Sequence, residues 1–413
     1  VPTPLHDSDT INLGLNASDF QTARKVAQAI NAKLGNGLAT LLGSVQASQG
    51  LTVNSTGSVT QQGVTTLQVG TDLNVQATGG SSSVTLTHAN TVGGQVTLGA
   101  GANVNYSTSG AAQMGAVTAG GNLSLVAGGA VTQSADWQVT GTTQVQATGA
   151  DVTLNRAGNQ LGGAVTLTGR HLDIRDSSAL VLGHVTATGN LTLQAAGISQ
   201  QNASNFSVAG TSVLSADSTH DISMNQAGNV WGGSVSVTSA RDVSLRSSAG
   251  LATGAITAQR DLTLTAAGDV SQSGVWSVQG TTTVNAGSGQ VSLNQSGNAL
   301  TGALSITGGA VDVSSTSALL LGQVNATSLQ VQASGGVSQQ NATALTVSGT
   351  TSLTADATHD VLLGQAGNSL TGTITVGTVR DLTLANTGAL QLGSLSEWED
   401  RLVGHLVARR NAA

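Results

Sequence analysis

The chain has no cysteine, only two prolines, charge on 8% of its 413 residues and aromatic rings on 2%. Without cysteine there is no disulfide framework and no thiolate metal centre. Ordinary globular chains carry about 25% charge, so this composition favours one long solenoid over two or three ordinary globular domains. The shortage of aromatics excludes a thick core and suits a thin one of stacked Val, Leu, Ile and Ala. Thirteen Lys and Arg, scattered in a chain of net charge −7, form no basic stripe, which argues against nucleic acid as a partner. No apolar run is long enough to cross a bilayer as a helix, so an integral membrane protein is not expected. No basic segment precedes an apolar stretch after Val1, so any export signal has been removed or lies elsewhere. Low charge does not imply disorder here, because Val, Leu and Thr alternate throughout.

What the chain does have is a recurring phrase. It reads Leu-Asn-Arg-Ala-Gly-Asn at 154–159, Met-Asn-Gln-Ala-Gly-Asn at 224–229, Leu-Asn-Gln-Ser-Gly-Asn at 293–298 and Leu-Gly-Gln-Ala-Gly-Asn at 363–368, with a worn copy ending at Asn90. The closing residues Asn90, Asn159, Asn229, Asn298 and Asn368 stand 69, 70, 69 and 70 residues apart. A deeper step of 139 residues relates Trp137 to Trp276, His220-Asp221 to His359-Asp360, and the Gln pairs at 61–62, 200–201 and 339–340. The architecture is therefore a repeat of 70-residue halves joined in A-B doublets, and a fixed period of this kind marks a solenoid.

Within each half, apolar and small polar residues alternate over three to five positions between Gly, Asn, Asp and Ser, which predicts short strands and turns. Asn-Gly and Asp-Gly hairpin turns are missing, so the strands do not pair as hairpins. The predicted fold is all-β: a right-handed parallel β-helix with Val, Leu and Ile inward and Thr, Ser, Gln and Asn outward. Valines near 165, 185, 208 and 235 divide one half into three coils, each of about three strands. The five asparagines then mark the widest corner once in every three coils. That is too sparse for a continuous amide ladder and suits a local Asx-turn.

The ends differ from the middle. Residues 1–50 predict a strand at 10–15 and an amphipathic helix at 18–34, opened by the capping pair Ser18 and Gln21. The stretch from Ile11 to Asn31, with its Asp-Phe, Thr-Ala and Ala-Ile-Asn, resembles a segment of the flagellar P-ring protein. Residues 396–413 predict a closing helix capped by Ser396 and Glu399, with Trp398, Leu402 and Leu406 on one face. The expected domains are 1–50, the β-helix over 51–395, and the cap at 396–413.

Candidate chemistry is sparse. A polysaccharide-cleaving β-helix would need converging carboxylates. The pairs available are Asp173 with Asp176, Asp217 with Asp221, and Asp356 with Asp360, all in turn-like sequence. His220-Asp221 and His359-Asp360 supply two ligand types each, too few for zinc. No catalytic, cofactor-binding or metal site is expected, and no cofactor. Trp137, Trp231 and Trp276 read as core plugs, or else as surface contacts on which sugars could stack.

The middle segments Gly254-Ala-Ile-Thr-Ala-Gln-Arg-Asp-Leu-Thr-Leu-Thr-Ala-Ala-Gly-Asp-Val-Ser-Gln-Ser-Gly, Val185-Thr-Ala-Thr-Gly-Asn-Leu-Thr-Leu-Gln-Ala-Ala-Gly and Val117-Thr-Ala-Gly-Gly-Asn-Leu-Ser-Leu resemble the repeats of filamentous haemagglutinin. That family comprises large exoproteins of two-partner secretion in Gram-negative bacteria. The resemblance implies a β-helical adhesive shaft, secreted or on the cell surface, and exported through an outer-membrane secretion partner. It also implies contacts with host or bacterial surface glycans or proteins. The family's secretion domain is not visible in 1–50, and no toxin or receptor-binding domain follows. The function expected from the sequence is thus a structural and adhesive shaft. A polysaccharide-processing enzyme and an envelope or flagellar-ring component are the alternatives.

Overall fold

In the computed structural model, residues 39–393 are described, and the regular elements among them are all strands, from Thr40–Leu42 to Gln391–Leu392. The strands pair in parallel and wind as a β-solenoid, as the alternation predicted. Strands begin before residue 51: Thr40–Leu42 already pairs with Val59–Gln61. The helices expected at 18–34 and 396–413 lie outside the described residues.

The chain divides into two compact units at Ala196 and Gly197. In the first, a core column runs Val104, Leu123, Thr143, Val165 in register from coil to coil. In the second, the matching column runs Val243, Leu262, Thr282, Leu304. Each strand buries alternate side chains: in Leu123–Ala127, Leu123, Leu125 and Ala127 are buried while Ser124 and Val126 face out. Two long sheets carry most of the strands. A typical coil contributes one strand to one sheet and two shorter strands to the other.

The coil count differs from the sequence expectation. In the second unit, seven successive pairings lead from Ile222–Met224 to its repeat equivalent Val361–Leu363. The equivalent strand midway, Val291–Leu293, lies in the other sheet. A doublet is therefore seven coils, and each half is three and a half rather than three. The half-coil remainder makes the sheets exchange roles: Leu251–Ala258 is in one sheet and its counterpart Leu319–Ala326 in the other. This is the structural reason why alternate halves differ in sequence while whole doublets match.

Side chains before the strands stitch successive coils at their corners. In the first unit, Asn103 Oδ1 accepts the Asn122 N–H and Asn122 Oδ1 accepts the Thr142 N–H, both at 2.8 Å. In the second, Asp242 accepts the Asp261 N–H at 3.0 Å and Asp261 accepts the Thr281 N–H at 2.8 Å. The recurring Asp/Asn-Leu-Thr-Leu phrase thus encodes a corner cap followed by a strand. Coils touch closely there: a Cβ on Gly120 would come 2.1 Å from the Gly101 carbonyl, so only glycine fits.

One core position breaks the aliphatic pattern. Thr143, Ser212, Thr282 and Thr351 point inward at equivalent places in successive halves, at most 1% exposed, and their hydroxyls have no hydrogen-bond partner. Thr282 sits between Leu262 and Leu304, and Thr351 between Leu329 and Ile374. Removing an unpaired buried hydroxyl while keeping the branched shape stabilises by about 1 kcal/mol. Thr282→Val and Thr351→Val are each expected to raise the denaturation midpoint; a drop would show that these hydroxyls are satisfied in solution.

Candidate functional site

The five repeat asparagines occupy the most elaborate polar sites of the solenoid. All five are fully buried. Asn159 shows the arrangement. Its Oδ1 accepts the Trp137 N–H at 2.9 Å and a hydrogen bond from the Gln133 side-chain amide, both one coil earlier. Its Nδ2 donates to the Leu154 carbonyl of its own coil and the Arg175 carbonyl of the next, each at 3.0 Å. Its own backbone carbonyl accepts from the N–H and hydroxyl of Ser177, at 2.8 and 2.7 Å. One residue thereby ties three consecutive coils.

The pattern recurs. Asn298 accepts the Trp276 N–H at 2.9 Å and donates to the Leu293 and Ser314 carbonyls. Asn90 and Asn368 accept the N–H groups of Leu67 and Leu345, each at 2.9 Å. Asn229 donates to the Met224 carbonyl at 3.0 Å. Every node has a glutamine partner from an earlier coil: Gln61, Gln133, Gln200, Gln272 and Gln339. The Gln-to-Asn separation alternates 29, 26, 29, 26, 29, which is the A-B doublet expressed as hydrogen bonds. The expected local Asx-turn is therefore replaced by a buried bracket between coils. Buried amides in such surroundings must be fully paired to avoid a large desolvation cost.

The tryptophans are not surface contacts. Trp137 and Trp276 are 0% exposed and Trp231 is 6% exposed, so none offers a ring face to a sugar. Trp137 Nε1 donates to the Gly115 carbonyl at 3.1 Å. Trp231 Nε1 donates to the Arg246 carbonyl at 2.9 Å, and its ring lies 4.4 Å from that of Phe206. All three rings therefore fill the core of the solenoid.

The carboxylate pairs are engaged separately. Asp221 is held by Arg241 through two bonds of 2.8 Å, and Asp360 by Arg380 at 2.8 and 2.7 Å. Asp217 accepts from Thr219 and faces His220 Nδ1 at 2.8 Å; Asp356 does the same with Thr358 and His359, at 2.7 Å to the ring. Asp173 accepts from the Asn155 amide at 2.7 Å. Asp176 is buried and accepts the Leu161 N–H at 2.8 Å and both donors of Ser178. No pair converges on a common point. Among the described residues no three His, Cys, Asp or Glu side chains gather as a metal site. Nor is any described helix long and apolar enough to cross a membrane.

These contacts set an acid response. The Thr219 and His220 hydrogen bonds hold Asp217 at about 2, the Thr358 and His359 bonds hold Asp356 at about 2, and Arg170 holds Asp151 at about 2. A carboxyl depressed in the folded state stabilises it above the unfolded value of about 4, and that stability fades as pH falls toward 2. Asp176 has the opposite sign: burial raises it, so its ionised form opposes folding at neutral pH and the penalty fades in acid. In the equivalent place Asn386 accepts the Leu370 N–H at 2.8 Å. Asp176→Asn is expected to preserve or raise stability at pH 7, with the gain shrinking toward pH 4. Denaturant midpoints at both pH values check this, and a clear loss at pH 7 would overturn it.

Known proteins fit the geometry in part. The chain is 66% identical over 35 residues to the flagellar P-ring protein of Albidiferax ferrireducens, a match covering 8% of this chain and 9% of that relative's length. No solved structure matches the chain. A family model of solenoid-sized repeats matches residues 28–99, 101–168, 169–238, 240–307 and 308–377, one match for each half-repeat. With most of its length covered in this way, the chain belongs to the family described as Repeats of unknown function (DUF5649).

Proposed function

We propose that the chain is part of the shaft of a secreted, cell-surface adhesin of the filamentous haemagglutinin kind, exported from a Gram-negative bacterium through an outer-membrane partner. The observation that carries the reading is the buried asparagine bracket. Once in each half-repeat it ties the coil that holds it to the coils before and after, so a load on that coil is shared by its neighbours. Such a device suits a spacer that holds binding surfaces away from a cell. The quoted middle segments support the family resemblance. The absence of cysteine suits passage through a membrane in an unfolded form. In this reading the chain has no catalytic role: the candidate acids among the described residues serve corner caps, Arg pairs and His contacts. Beads coated with the purified chain should adhere to host or bacterial cells more than beads coated with a compact control protein. Equal binding would remove the adhesive part of the proposal. Incubation with plant and host polysaccharides should release no new chain ends; their appearance would favour an enzyme. A second reading, an envelope ring component, draws on the P-ring likeness. Ring-shaped assemblies in the electron microscope would support it.

A further inference from the structure

We infer that Asn202 and Asn341 are acceptor sites for N-linked sugars. Each begins an Asn-x-Ser/Thr triplet, Asn202-Ala203-Ser204 and Asn341-Ala342-Thr343, the sequence read by asparagine glycosyltransferases. Of the triplets of this type among the described residues, this one alone recurs at the 139-residue step. Between its two copies the third residue changes from Ser to Thr, the one change at that position the acceptor sequence permits, while the next two change freely from Asn-Phe to Ala-Leu.

Geometry separates these two from the rest. Asn190 and Asn205 also begin such triplets in exposed positions outside strands, but the residue after each, Leu191 or Phe206, already opens a strand, and this separates them from Asn202 and Asn341. Both Asn202 and Asn341 are exposed, in turns outside the strand ladders, and the alanine after each holds a left-handed backbone, φ 59° at Ala203 and 60° at Ala342. That conformation costs an L-residue about 1 kcal/mol and turns the chain off the strand line. The contact made by Asn341 uses its Oδ1, which accepts from Gln365 Nε2 at 3.3 Å, and not the nitrogen that would carry a sugar. By contrast, Asn54, Asn105 and Asn325 lie within strands, with in-register neighbours on adjacent coils. Coils stack at about 4.8 Å, less than the width of a sugar ring, so a hexose there would displace the side chains above and below. Asn294 Nδ2 is already donated to Asp312, and the residue after Asn122 opens the strand Leu123–Ala127.

The reaction joins Asn Nδ2 to the anomeric carbon of a nucleotide- or lipid-pyrophosphate-activated sugar. The C–N bond forms as the C–O bond to phosphate breaks; the phosphate departs with the bonding electrons, and the amide proton passes to a base of the transferase. The two sugars would stand seven coils apart, about 34 Å. The inference holds whether or not the chain is an adhesin. Protein purified from its own cells is digested and its peptides weighed. The peptides holding Asn202 and Asn341 are expected to carry a hexose or a larger glycan, those holding Asn54, Asn105 and Asn325 none. Asn202→Gln and Asn341→Gln should each remove one sugar, and Asn325→Gln neither. Unmodified asparagine at both positions overturns the inference. So does equal modification of the strand asparagines, because the turn geometry would then select nothing.

Discussion

Asn159→Ala is expected to lower stability by about 3 kcal/mol or more. The substitution removes the partner of four groups at once: the Trp137 N–H, the Gln133 amide, and the Leu154 and Arg175 carbonyls. A buried polar group left unpaired costs about 1–3 kcal/mol, and water entering the space left by the side chain recovers only part of that. Asn298→Ala should cost a similar amount, since it strands the Trp276 N–H, Gln272 and two carbonyls. Solenoids unfold by neighbouring repeats, so the damage should be local. Amide exchange at Trp137 should accelerate in Asn159→Ala while amides several coils away keep their protection. A variant within 1 kcal/mol of the parent, with Trp137 still protected, would show that the bracket is not what holds the coils. Asn159→Asp should be no better at neutral pH. It replaces a donor with an acceptor facing two carbonyls and adds a buried charge.

A sequence period reveals repetition but not the angle through which each repeat winds. The 70- and 139-residue steps were visible in the asparagines and tryptophans, and alternation placed Leu123, Leu125 and their kind inside. The number of coils per half was not visible. Val165 and Val208 belong to one sheet, Val235 to the other. Equal-looking valines therefore do not mark equal angular positions, and counting them misses a half-coil. The burial of the asparagines was hidden for a related reason. Their glutamine partners stand 26 or 29 residues upstream, in a different phrase of the repeat. The signal that could have joined them was present: Gln133 and Gln272 share the 139-residue step of Trp137 and Trp276. An amide that pairs with another amide at a fixed offset in every copy is better explained by contact than by two independent turns.

Trp276→Ala should be comparably damaging, at about 3–5 kcal/mol, the usual range for emptying a large buried aromatic site. The ring is 0% exposed and stands in a strand whose neighbours before and after are in fixed register. Alanine would leave a cavity that the stacked backbone cannot close without breaking pairing. A finer comparison separates packing from hydrogen bonding. Trp137 and Trp276 are equivalent residues one doublet apart, both fully buried. Trp137 Nε1 donates to Gly115, whereas Trp276 Nε1 has no partner. Phenylalanine removes the indole nitrogen from each while keeping much of the ring. Trp137→Phe should therefore cost more than Trp276→Phe, by about 1 kcal/mol, because only the first forfeits a bond and leaves a carbonyl unpaired. Denaturation of both variants, followed by fluorescence of the remaining tryptophans, measures the difference. Equal costs would mean that the bond to Gly115 adds nothing beyond packing. The reverse order would mean that Trp276 finds a partner in solution and that the wide coils hold their polar groups differently in the two doublets.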